Sequence, residues 1–261
     1  MILAAFRSEW IKLRRRNLLV GCYLGLALAA SLFAVLLFAQ APASGNGGGL
    51  PSLTQLAQPN GLIHGVNRAA VLLGIVAFGI AATQIANEYS LGTLRQLLVR
   101  QPRRPVLLAG KFLAVLTFML GAVVFSSVVA SVASVVMAHA RHVPTAAWTS
   151  GAGVSDLTRA LGDLLLATVG FTSLGLVVGI LFRSSVTAII VGFAYLIPIE
   201  AVVTRIAPHT ATWLPGQLLQ AVAAGGLAPD GFAHSLILSA VYLVIAGAVA
   251  TVVFVRKDVT A

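Results

Sequence analysis

Charge is scarce in this sequence. Asp, Glu, Lys and Arg make up 9% of its 261 residues, where soluble domains average about 25%. Only seven residues are acidic, against 17 Lys and Arg, and 59% are hydrophobic. Such a chain cannot take water as its main solvent, which excludes an ordinary soluble enzyme. A single cysteine, Cys22, excludes an internal disulfide, and no Cys/His set has zinc spacing. No Gly-x-x-x-x-Gly-Lys-Ser/Thr occurs, so no loop of this chain cradles the phosphates of ATP. Gly110-Lys111 is followed by Phe112, and Pro105 stands where such a loop needs its first glycine. Catalytic groups are equally sparse. His139 and His142 have no third ligand near in sequence and read as surface histidines. Ser150, beside Gly151, has no histidine partner within a span. The net charge of +10 suits phosphate-bearing partners in general. The cations, however, sit at the ends of apolar runs rather than on a soluble face, which argues against nucleic acid.

What the sequence does have is long apolar runs. A helix needs about 20 apolar residues to cross the hydrocarbon core, and a lipid-embedded backbone must satisfy its own hydrogen bonds as helices or a closed barrel. Barrel strands alternate polar and apolar residues; these runs do not. The expectation is an all-α integral membrane domain over 1–261. Its spans fall at 17–39, 67–86, 106–138, 161–182, 184–204 and 234–255, preceded by an amphipathic interfacial helix at 1–16. The first apolar run exceeds a secretory signal core of roughly 7–15 residues, so it is expected to remain as a span. Orientation follows from Lys and Arg. Thirteen of the 17 lie before span one, between spans two and three, between spans four and five, or after span six. The other four are Arg68, Arg141, Arg159 and Arg205. This asymmetry predicts a multi-pass protein of a bacterial inner membrane with both termini cytoplasmic.

The connections differ in character. Residues 40–66, rich in Gly, Ser, Asn and Pro, read as flexible linker. In 206–233 the apolar stretch Gln217 to Ala224 is too short to span, and is expected to lie in the interface or to dip in and return. Along 1–16, Ile2, Leu3, Phe6, Trp10 and Leu13 form one stripe at helical spacing, flanked by cations that suit a headgroup layer. The connection between spans two and three, 88–105, is longer than a mere link requires. Its Leu91, Leu94 and Leu98 recur at i, i+3 and i+7, with Leu97 beside them, and predict a short amphipathic helix ended by Pro102 and Pro105. An apolar ridge with a basic rim suits docking on a protein partner. Within the spans Glu200 is unusual, because a charge there is costly. It is a candidate for the substrate path, or an interfacial carboxylate reaching water or Arg205. Arg159 and Asp163, four apart, read as a structural pair. Gly21-x-x-x-Gly25 and Gly175-x-x-x-Gly179 would let helices approach closely, within one subunit or at a dimer seam.

Glu88 followed by Gly92-Thr93-Leu94-Arg95, Leu97-Leu98, Pro102, Arg104 and Gly110-Lys111 resembles the inner-loop pattern of type-2 ATP-binding-cassette (ABC) exporter permeases. The resemblance implies six spans, an N-terminal elbow helix and a cytoplasmic coupling helix over 88–101. The segment at Trp213-Leu-Pro-Gly-Gln-Leu-Leu is similar to the short helices that precede the last span in that family. It further implies that Glu88, Gly92, Thr93, Leu94, Arg95, Leu97, Leu98 and Arg104 engage a separate ABC ATPase subunit. ATP and Mg would be bound in that partner, this chain holding no cofactor, metal or catalytic residue. A second copy of the chain would complete the translocation pathway, for an amphipathic or hydrophobic substrate. The alternatives are a self-sufficient secondary transporter or channel, and a non-transporting subunit of a membrane complex. Only Glu200 answers to the ionisable groups that a secondary transporter would need.

Overall fold

In a computed structural model, residues 2–43, 50–92, 104–226 and 231–256 are described. Among them the structure is helical, with no strand. In chain order the helices are α1 (Ile2–Leu13), α2 (Arg16–Gln40), α3 (Leu53–Leu56), α4 (Gly61–Asn67), α5 (Ala70–Ser90) and α6 (Arg104–Ala140). There follow α7 (Gly151–Phe182), α8 (Ser185–Ala194), α9 (Glu200–Ile206), α10 (Pro215–Ala223) and α11 (Gly231–Arg256). Six segments are long and apolar enough to cross a membrane: 16–40, 61–90, 105–140, 151–182, 185–206 and 231–254. This is a multi-pass membrane protein in contact with lipid.

Several helices outrun the bilayer. At 1.5 Å per residue, the 37-residue α6 is about 55 Å long, against a hydrocarbon core of about 30 Å. Span five is interrupted instead. Pro198 cannot donate a helical hydrogen bond, and α8 passes into α9 through a π-helical turn over Tyr195–Ile199.

Lipid tails are as apolar as leucine, so helices in a bilayer associate through close packing rather than water exclusion. The most extensive contact, α5 on α7, is built that way. A Cβ on Gly175 would fall 2.2 Å from the Phe78 carbonyl oxygen, and one on Gly179 2.4 Å from that of Ala82. The Gly175-x-x-x-Gly179 pair is therefore a seam within the subunit. Gly21 and Gly25 on α2 have no neighbour within 4 Å. The buried core runs through Leu73, Phe78, Phe118, Met119, Leu164 and Phe171.

Two ends of the bundle can be told apart by their contacts. At one, here the amino-terminal end, α1 packs on α6. There the Arg183 guanidinium lies 5.3 Å from the Tyr89 ring centroid, and Tyr89 meets Phe254 edge-on. These contacts gather α1, the end of α5, the α7–α8 turn and the end of α11. At the opposite end Trp148 Nε1 donates to the Leu56 carbonyl at 2.9 Å, and Arg141 donates to the carbonyls of Ala39 and Ala41.

Three expectations need correction or refinement. Much of 40–66 is ordered rather than linker: α3 is closed by a reciprocal capping box between Ser52 and Gln55, and Leu56 packs with Phe38 and Trp148. The apolar stretch after Trp213 dips inward, burying Gly216, Leu218, Leu219 and Val222 of α10 against α7 and α11. Arg159 and Asp163 form no ion pair; the ion pairs among the described residues all lie elsewhere.

Candidate functional site

Those ion pairs form one cluster at the amino-terminal end. Lys111, on the first turns of α6, is 1% exposed, and Glu9 on α1 is 2% exposed. Lys111 Nζ reaches Glu9 Oε2 at 2.6 Å and Glu88 Oε1, near the end of α5, at 2.8 Å. Lys12 closes the ring, 2.8 Å from Glu9 Oε1 and 3.0 Å from Glu88 Oε1. Two carboxylates and two ammoniums cancel in net charge. The cluster thus meets the condition for burying ions, that each be paired and hydrogen-bonded.

Local sequence explains how these groups meet. Glu9 and Lys12 are three apart on α1 and so share a face. That face, with Ala5 and Leu13, turns inward, while Ile2, Leu3 and Ile11 are exposed. The apolar stripe read along 1–16 is thus only partly an outward surface: Phe6 and Trp10 stack with centroids 5.8 Å apart and pack on the core. Gly110 lets α1 come close, because a Cβ there would sit 2.5 Å from Ala5 Cβ and 3.0 Å from the Phe6 backbone nitrogen. Gly110-Lys111 therefore acts as a unit, the glycine making room for α1 and the lysine joining α1 to α5.

Burial alone would raise the Glu9 carboxyl, yet the Lys111 and Lys12 ammoniums beside it hold it below its ordinary 4.5. Burial would lower Lys12, and Glu9 and Glu88 instead hold it above its ordinary 10.5. One buried oxygen, Glu88 Oε2, accepts no hydrogen bond within the described residues. No group of three His, Cys, Asp or Glu suited to a metal occurs among the described residues. The cluster's chemistry is that of a fastener.

The cluster lies at the base of the connection that sequence reasoning singled out. Of the residues named there, Glu88 is in the cluster, Gly92 follows α5 with φ of 65°, a conformation that favours glycine, and Arg104 opens α6. Thr93, Leu94, Arg95, Leu97 and Leu98 lie outside the described residues. Sequence reasoning passed over Glu9 and Lys12, and cited Lys111 without its partners. The available signal was Glu9 itself, the single acid in a basic amino-terminal segment.

Glu200 occupies a separate position toward the opposite end. Its residue is 0% exposed, and Oε1 accepts the Gly216 backbone N–H at 2.9 Å. It thereby satisfies a donor in the first turn of α10, which otherwise has no intrahelical partner. Tyr195 and Gln217 also face the carboxylate. A Cβ on Gly216 would strike Glu200 Oε2 at 2.4 Å, so the glycine is what admits the carboxylate. Glu200 holds α10 to the broken span and forms no ion pair with Arg205.

Compared with known proteins, residues 25–260 match the profile of a family described as "Protein of unknown function (DUF2705)". No curated protein matches the chain.

Proposed function

We propose that this chain, which belongs to the DUF2705 family, is the membrane-embedded permease subunit of an ATP-driven exporter. It takes its energy from a separate ATPase subunit that binds ATP and Mg, and forms the pathway together with a second copy of itself. The observation that carries the reading is the Glu9–Lys12–Glu88–Lys111 cluster, buried except for the half-exposed Lys12. It ties both arms of the 88–105 connection, the end of α5 and the start of α6, to the interfacial helix α1. A surface loop has no use for such a base, whereas a lever pushed by a partner needs a stiff one. Force applied to the connection passes to three helices together rather than bending one.

On this reading the amino-terminal end faces the cytoplasm, as the distribution of Lys and Arg requires. Leu94 and Leu98 dock on the ATPase, with Arg95 and Arg104 at the rim. Gly21 and Gly25, with open space beside α2, suit a seam with the second copy. The substrate is amphipathic or hydrophobic, since the spans offer few charges to coordinate an ion or sugar.

The test is co-purification and transport. L94D and L98D, introduced together, should abolish association with a P-loop ATPase identified by mass spectrometry, while the permease stays folded. Association unchanged by both substitutions would remove the docking role. Transport by the chain alone, in sealed vesicles without any hydrolase, would replace this reading with a self-sufficient transporter.

A further inference from the structure

A groove of about 590 Å³ runs between α6, α7 and α11. It exists because α11 rests on α7 but meets α6 only sparsely. Leu176, Val177 and Ile180 of α7 form the floor, Leu108 and Phe112 of α6 one wall, and Val244 with its neighbours on α11 the other. Two hydroxyls border it, and both are occupied: Ser173 Oγ donates to the Val169 carbonyl and Thr251 Oγ1 to that of Gly247, each at 2.7 Å. The groove asks nothing of its occupant except hydrocarbon.

Its dimensions narrow the choice further. On both α7 and α11 the lining residues extend over twelve positions, 169 to 180 and 240 to 251, or about 16 Å from first to last at 1.5 Å per residue. That matches one leaflet of a hydrocarbon core about 30 Å thick. The groove is long enough for one extended acyl chain laid along α7.

Charge supplies the other half. All three lining helices end in arginine on the amino-terminal side of the groove. Arg104 precedes Pro105 at the start of α6, Arg183 follows Ile180 by three residues at the end of α7, and Arg256 follows Thr251 by five as the last residue of α11. Arg183 is the carboxy-terminal cap of α7, with a left-handed backbone, and it forms no ion pair with an acid among the described residues. Its buried Nε has no hydrogen-bond partner there.

From this geometry we infer that the groove binds one acyl chain of an anionic membrane lipid from the leaflet on the amino-terminal side. The hydrocarbon lies along α7, and the phosphate sits at the rim marked by Arg104, Arg183 and Arg256. The inference needs only the membrane embedding of the six helices, not an ATPase partner.

The full-length protein, without any ATPase, is reconstituted in phosphatidylcholine nanodiscs. These carry a trace of phosphatidylglycerol or phosphatidylcholine with the same photoactivatable acyl chain, and adducts are mapped by peptide mass spectrometry. The expected result is labelling concentrated on the groove-facing stretches of α6, α7 and α11. A single basic residue near a headgroup contributes about a fivefold preference for anionic lipid, so phosphatidylglycerol should label at least about five times more strongly. Gly247 has open space beside it, so G247F fills the groove without disturbing the backbone and should cut groove labelling about tenfold. V132F, on an exposed face of α6, should leave it unchanged. R104Q, R183Q and R256Q together should bring the two lipids to equal labelling while the chain adducts persist. Three outcomes would overturn the inference: uniform labelling of all exposed faces, groove labelling indifferent to G247F, or G247C crosslinking to its copy in a second subunit. None of these bears on L94D and L98D, so failure here and failure of the exporter reading are separable.

Discussion

Lys111 shows how a few charges can organise a protein that has almost none. Its ammonium is enclosed by Glu9 and Glu88, so removing it leaves two buried carboxylates with only Lys12 between them. Breaking a buried ion pair from one side costs about 3–5 kcal/mol. K111M should therefore lower thermal stability in detergent sharply, and K111M with E9Q should recover part of the loss, because fewer charges are then stranded. Equal stability of K111M and the wild type would mean that the cluster is wet and weak. The pH response has a defined sign. Glu9 is held below 4.5, so its contribution is present above that pH and is lost as pH falls through the depressed folded value. Lys12 is held above 10.5, so its contribution is complete below that pH and is lost as pH rises through the raised folded value. Docking of α1, followed by quenching of Trp10 fluorescence, should be flat between those limits. A transition near neutrality, where histidine titrates, would contradict this assignment.

At the scale of elements, Glu200 joins two pieces of irregular helix: the span broken at Pro198 and the inward-dipping α10. E200A would leave the Gly216 N–H without an acceptor, at about 1–3 kcal/mol. The local signature is faster hydrogen exchange across 215–219. E200Q keeps an oxygen acceptor and should change exchange far less; if both variants behave alike, the cap is not what holds α10. Six apolar runs were legible because each is written in local composition, and so was the need of Gln217 to Ala224 to leave water, though not whether it would lie in the interface or dip inward. The order in 50–67 was not. Its glycines and prolines look the same in a linker as in a packed turn, and Trp148, which fastens Leu56, is 92 residues further along.

The whole molecule carries two small-residue pairs with different surroundings. Gly175 and Gly179 are filled by α5, whereas Gly21 and Gly25 stand against open space. If a second copy docks there as proposed, G21L should leave the fold intact and reduce dimer mass measured by light scattering in detergent. G179L should instead disrupt the fold, since the added side chain would run into the Ala82 carbonyl and the Ile85 side chain of α5. A protein still dimeric as G21L would place the seam elsewhere.

Scarcity of charge and the length of the apolar runs were enough to dictate six helices able to cross a membrane. Transfer into lipid depends on composition summed along the chain, and needs no knowledge of neighbours. Which carboxylate would meet which ammonium, which glycines would be filled, and that α11 would stand off from α6 to leave a groove were decided only by tertiary structure. Those outcomes depend on distances between residues some 80 to 100 positions apart, such as Lys12 with Glu88 and Glu9 with Lys111. No periodicity within a single helix encodes such a distance.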